Sequence, residues 1–272
     1  MTLLGWIIAF TLLGGVLSVL AASVFLLIPE RTRQHLLPGM VSFAIGALLG
    51  AALLAVLPHA LEAPGISGAH TVTAVVLVGL LGFFLLEKAV LWRHCHTHEC
   101  EVHGSSGGAQ VATPAAPGVG HGHGMASGYL ILVGDAVHNF VDGVLIAAAF
   151  LTDLHLGVVT ALAVAAHEIP QEVGDFAILL HSGFSRARAL AYNVLASLTT
   201  VVGGVLAYFS LSLAQQALPY VLAVAASSFI YIAVADLIPG LHKRLEPRAT
   251  FEQVVLIVVG ALTIYITHQS LH

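Results

Sequence analysis

Eight apolar runs constrain this chain more than any other feature, because a helix needs about 20 mostly apolar residues to cross a bilayer. They lie near residues 3–28, 39–62, 71–92, 129–151, 156–181, 188–211, 217–240 and 252–271. The connections carry turn residues or charge, as in Pro29 to Pro38, Ala63-Pro64-Gly65, Thr152-Asp153, His181 to Arg186, Gln215 to Pro219 and His242 to Thr250. With 58% of residues hydrophobic and 8% charged, the chain falls outside the range of soluble globular domains. The expected fold is therefore an all-α polytopic membrane protein with eight transmembrane helices, forming a single transmembrane domain over residues 1–272. Lipid is its first partner, and nothing in the composition points to nucleic acid. Two cysteines, Cys95 and Cys100, are too few for a disulfide-built fold. No basic residue precedes the first run, so Met1 to Ile28 reads as a retained span and not a cleaved signal peptide.

The basic residues set the expected orientation. Arg31 and Arg33 lie in the first loop, Lys88 and Arg93 at the start of the third, Arg186 and Arg188 at the fifth, and Lys243, Arg244 and Arg248 in the seventh. Cytoplasmic loops collect Lys and Arg, so the odd loops face the cytoplasm and the N and C termini both lie on the non-cytoplasmic side. The third loop, at about 93–128, is the long one. It opens with His94, Cys95, His96, His98, Cys100 and His103, continues through a Gly-, Ala-, Ser- and Pro-rich stretch that cannot bury a core, and closes with His121 and His123. It reads as a His-rich, disordered cytoplasmic segment whose clustered ligands can bind metal. Small residues recur in the spans, including Gly14-Gly15, Gly46, Gly50, Gly79, Gly82 and Gly203-Gly204, and read as close-packing positions.

Two spans break the apolar pattern. The fourth carries Asp135, His138, Asn139 and Asp142, which at 3.6 residues per turn share one stripe. The fifth carries His167, Glu168, Gln171, Glu172 and Asp175, between an apolar lead-in from Leu156 to Ala166 and a lead-out from Phe176 to Leu180. A carboxylate at the bilayer centre costs roughly 2.5–3.5 kcal/mol on insertion scales, so this stretch requires water, a partner or a metal ion to offset the cost. Two facing stripes of His, Asp and Glu are how metal sites are built inside helical bundles. Pro170 lacks the N–H that would bond to the Ala166 carbonyl, which predicts a kink beside these groups. Asp135, Glu172 and Asp175 extend the stripes as a transport path. His59 near the outer end of the second span and Asp236 near the inner end of the seventh could serve as entrance and exit, although Pro58 and Pro239 beside them could simply end helices. Asn193 and Ser197, one turn apart on the sixth span, could complete a polar lining or bond between helices.

At these residues the sequence resembles the ZIP family of divalent metal transporters. His138-Asn139-Phe140-Val141-Asp142-Gly143 is similar to its fourth-span HNFxDG motif. His167 to Ile178 resembles the fifth-span HEIPHE-x-GDFAI motif of one subfamily. The resemblance implies a metal site between the fourth and fifth spans, often binuclear. His138, Asp142 and His167 would sit in the main site, Asn139 and Glu168 would contribute to the second, and the position of Gln171 would bridge or complete both. That position is His in the subfamily pattern, and a neutral amide binds transition metals more weakly than imidazole. The implied activity is passage of zinc into the cytoplasm, with Fe2+, Mn2+ or Cd2+ as further substrates. These ions are cargo, with no catalytic cofactor. The expected location is the plasma (inner) membrane, with an organellar membrane as the alternative and a homodimer as the candidate assembly.

Two other readings share these residues. An intramembrane zinc hydrolase would use His-Glu-x-x-His, but Gln171 stands where the second His belongs and Pro170 spoils the helical face. A metal sensor without flux would use every ligand named above. On the transporter reading the third loop lies outside the path. Deleting residues 94–124 is therefore expected to leave zinc flux into proteoliposomes largely intact, while changing regulation or delivery of the metal. Complete loss of flux in a folded deletion variant would contradict this.

Overall fold

The computed structural model describes residues 2–63, 68–95, 121–242 and 246–271, and all the regular structure among them is helical. Helices α1 (Leu3–Gly14) and α2 (Val16–Phe25) make the first span, with Thr2 capping α1 through its side-chain oxygen. They meet at Gly15, whose backbone leaves the helical region and whose missing side chain lets it lie against the Ser197 carbonyl. The second span is one long rod from α3 (Glu30–Gly50) through a π-helical turn, Ala51–Val56, to α4 (Leu57–Glu62). It begins well before the expected residue 39. Pro29 stands at the helix start, Gln34 donates to Glu30 one turn back, and Pro38 is accommodated within the helix.

Helices α5 (Ala69–Cys95), α6 (His121–Thr152), α7 (Leu154–His181) and α8 (Arg186–Leu213) follow. Asp153 accepts from the His155 and Leu156 amides to start α7, and Ser185 accepts from the Arg188 amide to start α8. Helix α6 begins at His121, so residues 121–128, expected in the loop, are helical. The seventh span joins α9 (Leu218–Tyr231), a second π-helical turn, Ile232–Leu237, and α10 (Ile238–Leu241), and α11 (Pro247–Leu271) is the last.

The two π turns share a cause. Each lies at the same offset before a proline, Pro58 or Pro239. The last N–H before each proline, that of Leu57 or Ile238, bonds to a carbonyl five residues back, on Ala52 or Ala233. A proline ring clashes with the preceding turn and offers no donor, and the wider turn accommodates it.

Among the described residues, seven spans are long and apolar enough to cross a membrane, one fewer than the eight expected. The exception is α7, which has ample length at 28 residues but carries the polar stretch from His167 to Asp175. Packing makes that tolerable. Helices α1, α2, α3, α6, α8 and α11 all contact α7, and His167, Glu168, Pro170, Glu172 and Val173 are buried. The helix runs unbroken through Pro170. Helices α5 and α11 instead turn apolar faces outward, with Val78, Leu85, Phe251 and Ile266 among the exposed side chains.

Glycines bring the helix axes together where the contacts are densest. A Cβ on Gly143 of α6 would lie 1.9 Å from the Thr200 carbonyl oxygen of α8, and one on Gly203 would lie 2.1 Å from that of Phe140. Gly46 of α3 and Gly260 of α11 approach their partners equally closely, at 1.9 Å from the Ile257 oxygen and 2.2 Å from the Phe43 oxygen. Gly82 differs, with nothing within 4 Å of its would-be Cβ, so it is not the packing position the sequence suggested. Gly143→Ala and Gly203→Ala are each expected to destabilise the bundle by about 1–3 kcal/mol or more through overpacking. Gly82→Ala should be neutral or slightly stabilising. Thermal unfolding midpoints in detergent check the contrast.

Candidate metal centre

The stripes predicted on the fourth and fifth spans face one another across the α6–α7 contact. Four atoms converge there: His138 Nε2 and Asp142 Oδ2 from α6, and His167 Nε2 and Glu168 Oε1 from α7. The two ring nitrogens are 3.3 Å apart. His138 Nε2 lies 3.8 Å from Asp142 Oδ2 and 3.4 Å from Glu168 Oε1. His167 Nε2 lies 3.4 Å from Asp142 Oδ2 and 3.5 Å from Glu168 Oε1. Ligands held about 2.0–2.1 Å from a tetrahedral zinc ion sit about 3.3–3.4 Å from each other, so the cage nearly has the dimensions such an ion requires.

Two further observations suit a cation. His167 is fully buried and directs Nδ1 at the Ala163 carbonyl, 3.2 Å away. A ring that donates from Nδ1 to a backbone carbonyl presents its lone pair at Nε2, as a metal-bound histidine does. Both oxygens of Asp142 and both of Glu168 are buried without a hydrogen-bond partner. Such carboxylates need a cation or protons in place of the water they have lost. His138 is the partly exposed member and lines a cavity of about 430 Å³ together with Asp135, Gln171, Asp175, Glu87, Tyr231 and Asp236.

The remaining expected residues distribute as follows. Asn139 is buried but turned aside, accepting from Thr200 Oγ1 at 2.7 Å and donating to Asp135 Oδ1 at 2.8 Å. Gln171 lines the cavity and is not one of the four converging groups. Asp175 and Asp236 share that cavity, whereas Glu172 is buried in a second group with Asp135 and Glu168. His59 is elsewhere, its Nδ1 2.9 Å from the Ala55 carbonyl and its ring edge-on to His268 at 5.3 Å between centroids. Of the loop ligands, His96, His98, Cys100 and His103 lie outside the described residues. His94 and Cys95 end α5, and His121 and His123 begin α6, with side chains outside the description.

Three residues escaped the sequence reading. Thr200 continues the Asn193 and Ser197 stripe by one more turn, a signal that could have found it. Glu87, to which Tyr231 donates its hydroxyl, sits beside Lys88, which had been read only for its charge. Tyr231 itself lies in an apolar run and gave no signal. The geometry also separates two views of the fourth ligand. Glu168→Gln is expected to lower zinc affinity about tenfold or more, and Gln171→Ala to lower it far less, in calorimetric titration of the purified protein. The reverse ranking would return Gln171 to the cage.

Comparison with known proteins places the chain. A family model described as ZIP Zinc transporter matches residues 2–268. The chain is 30% identical over 315 residues to Zinc transporter zipt-7.1 of Caenorhabditis briggsae, covering 97% of this chain and 79% of that protein. It is 32% identical over 252 residues to mouse Zinc transporter ZIP13, covering 85% and 68%. It is 31% identical over 260 residues to human Zinc transporter ZIP4, covering 79% of this chain but only 40% of that longer protein. The chain, a multi-pass membrane protein, belongs to the ZIP zinc transporter family.

Proposed function

We propose that this protein carries divalent transition-metal ions, zinc foremost and iron, manganese and cadmium as further candidates, across the membrane into the cytoplasm through the site between α6 and α7. The observation that carries the proposal is the four-atom cage of His138, Asp142, His167 and Glu168 at zinc-like spacing, with one member open to an acid-lined cavity. Asn139 and Gln171 border this site, Asn139 as a support and Gln171 at the cavity wall. The cavity supports the inward direction. Glu87 neighbours Lys88, and Asp236 and Asp175 lie at the ends of their helices that lead into basic loops. By the positive-inside rule those loops are cytoplasmic and both termini are not. An ion leaving His138 would meet Asp175, Asp236 and Glu87 on the way to the cytoplasm, while His59 stands at the opposite, outer end. The plasma (inner) membrane suits this direction, with residues 1–272 acting as one transmembrane domain and a homodimer as the candidate assembly.

Members of the ZIP family are transporters and not enzymes. The hydrolase alternative finds no support, and Gln171, in place of a second motif histidine, is outside the ligand group.

The test is uptake of radioactive zinc, iron, manganese and cadmium into proteoliposomes. Wild type should show flux, and His138→Ala and His167→Ala should each reduce the initial zinc rate by about tenfold or more. Acidification should slow uptake, because the ligands bind metal only when deprotonated and protons compete with the ion. Zinc binding without flux would assign the site to a sensor. Unimpaired flux in both histidine variants would remove the site from the path.

A further inference from the structure

Tyr231 shares the cavity wall with His138, Asp175, Asp236 and Glu87, and passage of an ion past those four groups gives it no task. Its hydroxyl donates to Glu87 Oε2, and its ring lies against Phe83 with 6.3 Å between centroids. Glu87 is the only acidic residue of α5, a helix that otherwise turns most of its surface outward. A carboxylate on a flexible stem has no reason to stay in the cavity from such a helix unless something draws it there.

The attachment is built on one ridge of α5. Gly79, Phe83 and Glu87 stand four residues apart and share a face. A Cβ on Gly79 would collide with Ser227 Oγ, so its absence lets α5 and α9 approach. One turn on, Phe83 meets the Tyr231 ring, and after a further turn Glu87 receives the Tyr231 hydroxyl. Ser227 and Tyr231 are themselves four residues apart on α9. Tyr231 is also the last residue of α9, and the π turn that carries Asp236 to the cavity begins immediately after it. The same residue thus stands between two carboxylates, one held through its hydroxyl and the other carried by the turn that follows.

We propose that Tyr231 is a positioning residue of the transport path, whose O–H holds the Glu87 carboxylate in the cavity to take an ion leaving His138. The proposal rests on the transport reading and deepens it. Hydrogen bonds to a carboxylate are among the stronger kinds, strong enough to offset the rotamer freedom that a glutamate loses when it is held. With Oε2 engaged by the hydroxyl, Oε1 remains to meet the cation. A carboxylate that already accepts a hydrogen bond donates less charge to a metal, so Glu87 takes the ion without retaining it. Passage through successive sites requires such weak binding.

The experiment measures initial rates of radioactive zinc uptake against zinc concentration in proteoliposomes of the full chain, beside calorimetric zinc titration of each purified variant. Tyr231→Phe keeps the ring and removes the hydroxyl. It should lower kcat about tenfold while leaving the calorimetric zinc affinity within about twofold of wild type, because the histidine cage keeps its ligands. Glu87→Gln should lower kcat by a similar factor. Adding Tyr231→Phe to Glu87→Gln should lower it no further, since the hydroxyl acts through the carboxylate. A Tyr231→Phe rate equal to wild type overturns the proposal and leaves the transport reading intact. Effects of the two substitutions that multiply also overturn it, because the tyrosine then acts apart from Glu87. So does a loss of calorimetric affinity in Tyr231→Phe that matches its loss of rate, which marks a general disturbance of the bundle. A wild type that binds zinc without flux overturns this proposal together with the transport reading.

Discussion

Buried carboxylates that have lost their water govern this structure. Asp135, Asp142, Glu168 and Glu172 are at most 5% exposed, and most of their oxygens have no hydrogen-bond donor. Unneutralised charge at membrane depth costs several kcal/mol, and neighbouring carboxylates add repulsion to that cost. Helix α7 escapes lipid because α1, α2, α3, α6, α8 and α11 enclose it. What the enclosure leaves unmet is positive charge, and two histidines arranged with the carboxylates give a cation geometry as well as attraction. The polar stretch that leaves α7 outside the spans apolar enough to cross a membrane also places on it His167 and Glu168, which join His138 and Asp142 of α6 in a group that could hold a metal ion.

Close packing seals this region on the α8 side and leaves it open to the cavity on the other. Helix α6 lies against α8 with backbone-to-backbone contact at Gly143 and Gly203, which leaves no room for lipid or water between them. That contact also brings Thr200 within reach of Asn139, so the packing of two helices fixes the orientation of an amide beside the site. On the open side, the π turn before Pro239 contributes Ile232, Asp236 and Leu237 to the cavity wall. A turn widened by the demands of a proline thus aims a carboxylate at the space into which His138 looks.

Much of the fold was legible because membrane helices announce themselves through length and hydropathy. Boundaries were less so. The second span starts at Glu30 because Pro29 can begin a helix and Pro38 can be tolerated inside one, whereas the sequence reading treated both as breakers. Helix α7 failed the hydropathy criterion for the same polar residues that singled it out as functional. The roles of Asn139, Glu168 and Gln171 illustrate the limit at the site. Their membership of the motif was readable, but Glu168 reaches the histidine cage, Gln171 faces the cavity, and Asn139 bonds to Thr200, sixty-one residues away in sequence. Motif spacing describes one helix at a time and carries no information on which atoms a neighbouring helix will meet.

The sequence by itself determined that the chain is a helical membrane bundle, that its polar residues fall on one stripe of each of two helices, and that these stripes are rich in metal-ligating atoms. Local periodicity and the cost of burying charge suffice for that. Only the tertiary structure decided that ligand atoms of His138, Asp142, His167 and Glu168 converge to within 4.8 Å of one another, that Asp135 joins Glu168 and Glu172 in an oxygen-only group, and that Glu87 and Tyr231 share the cavity. Convergence depends on the rotation of each helix and its separation from its neighbours, and these are set by glycine contacts and side-chain packing between segments far apart in the chain.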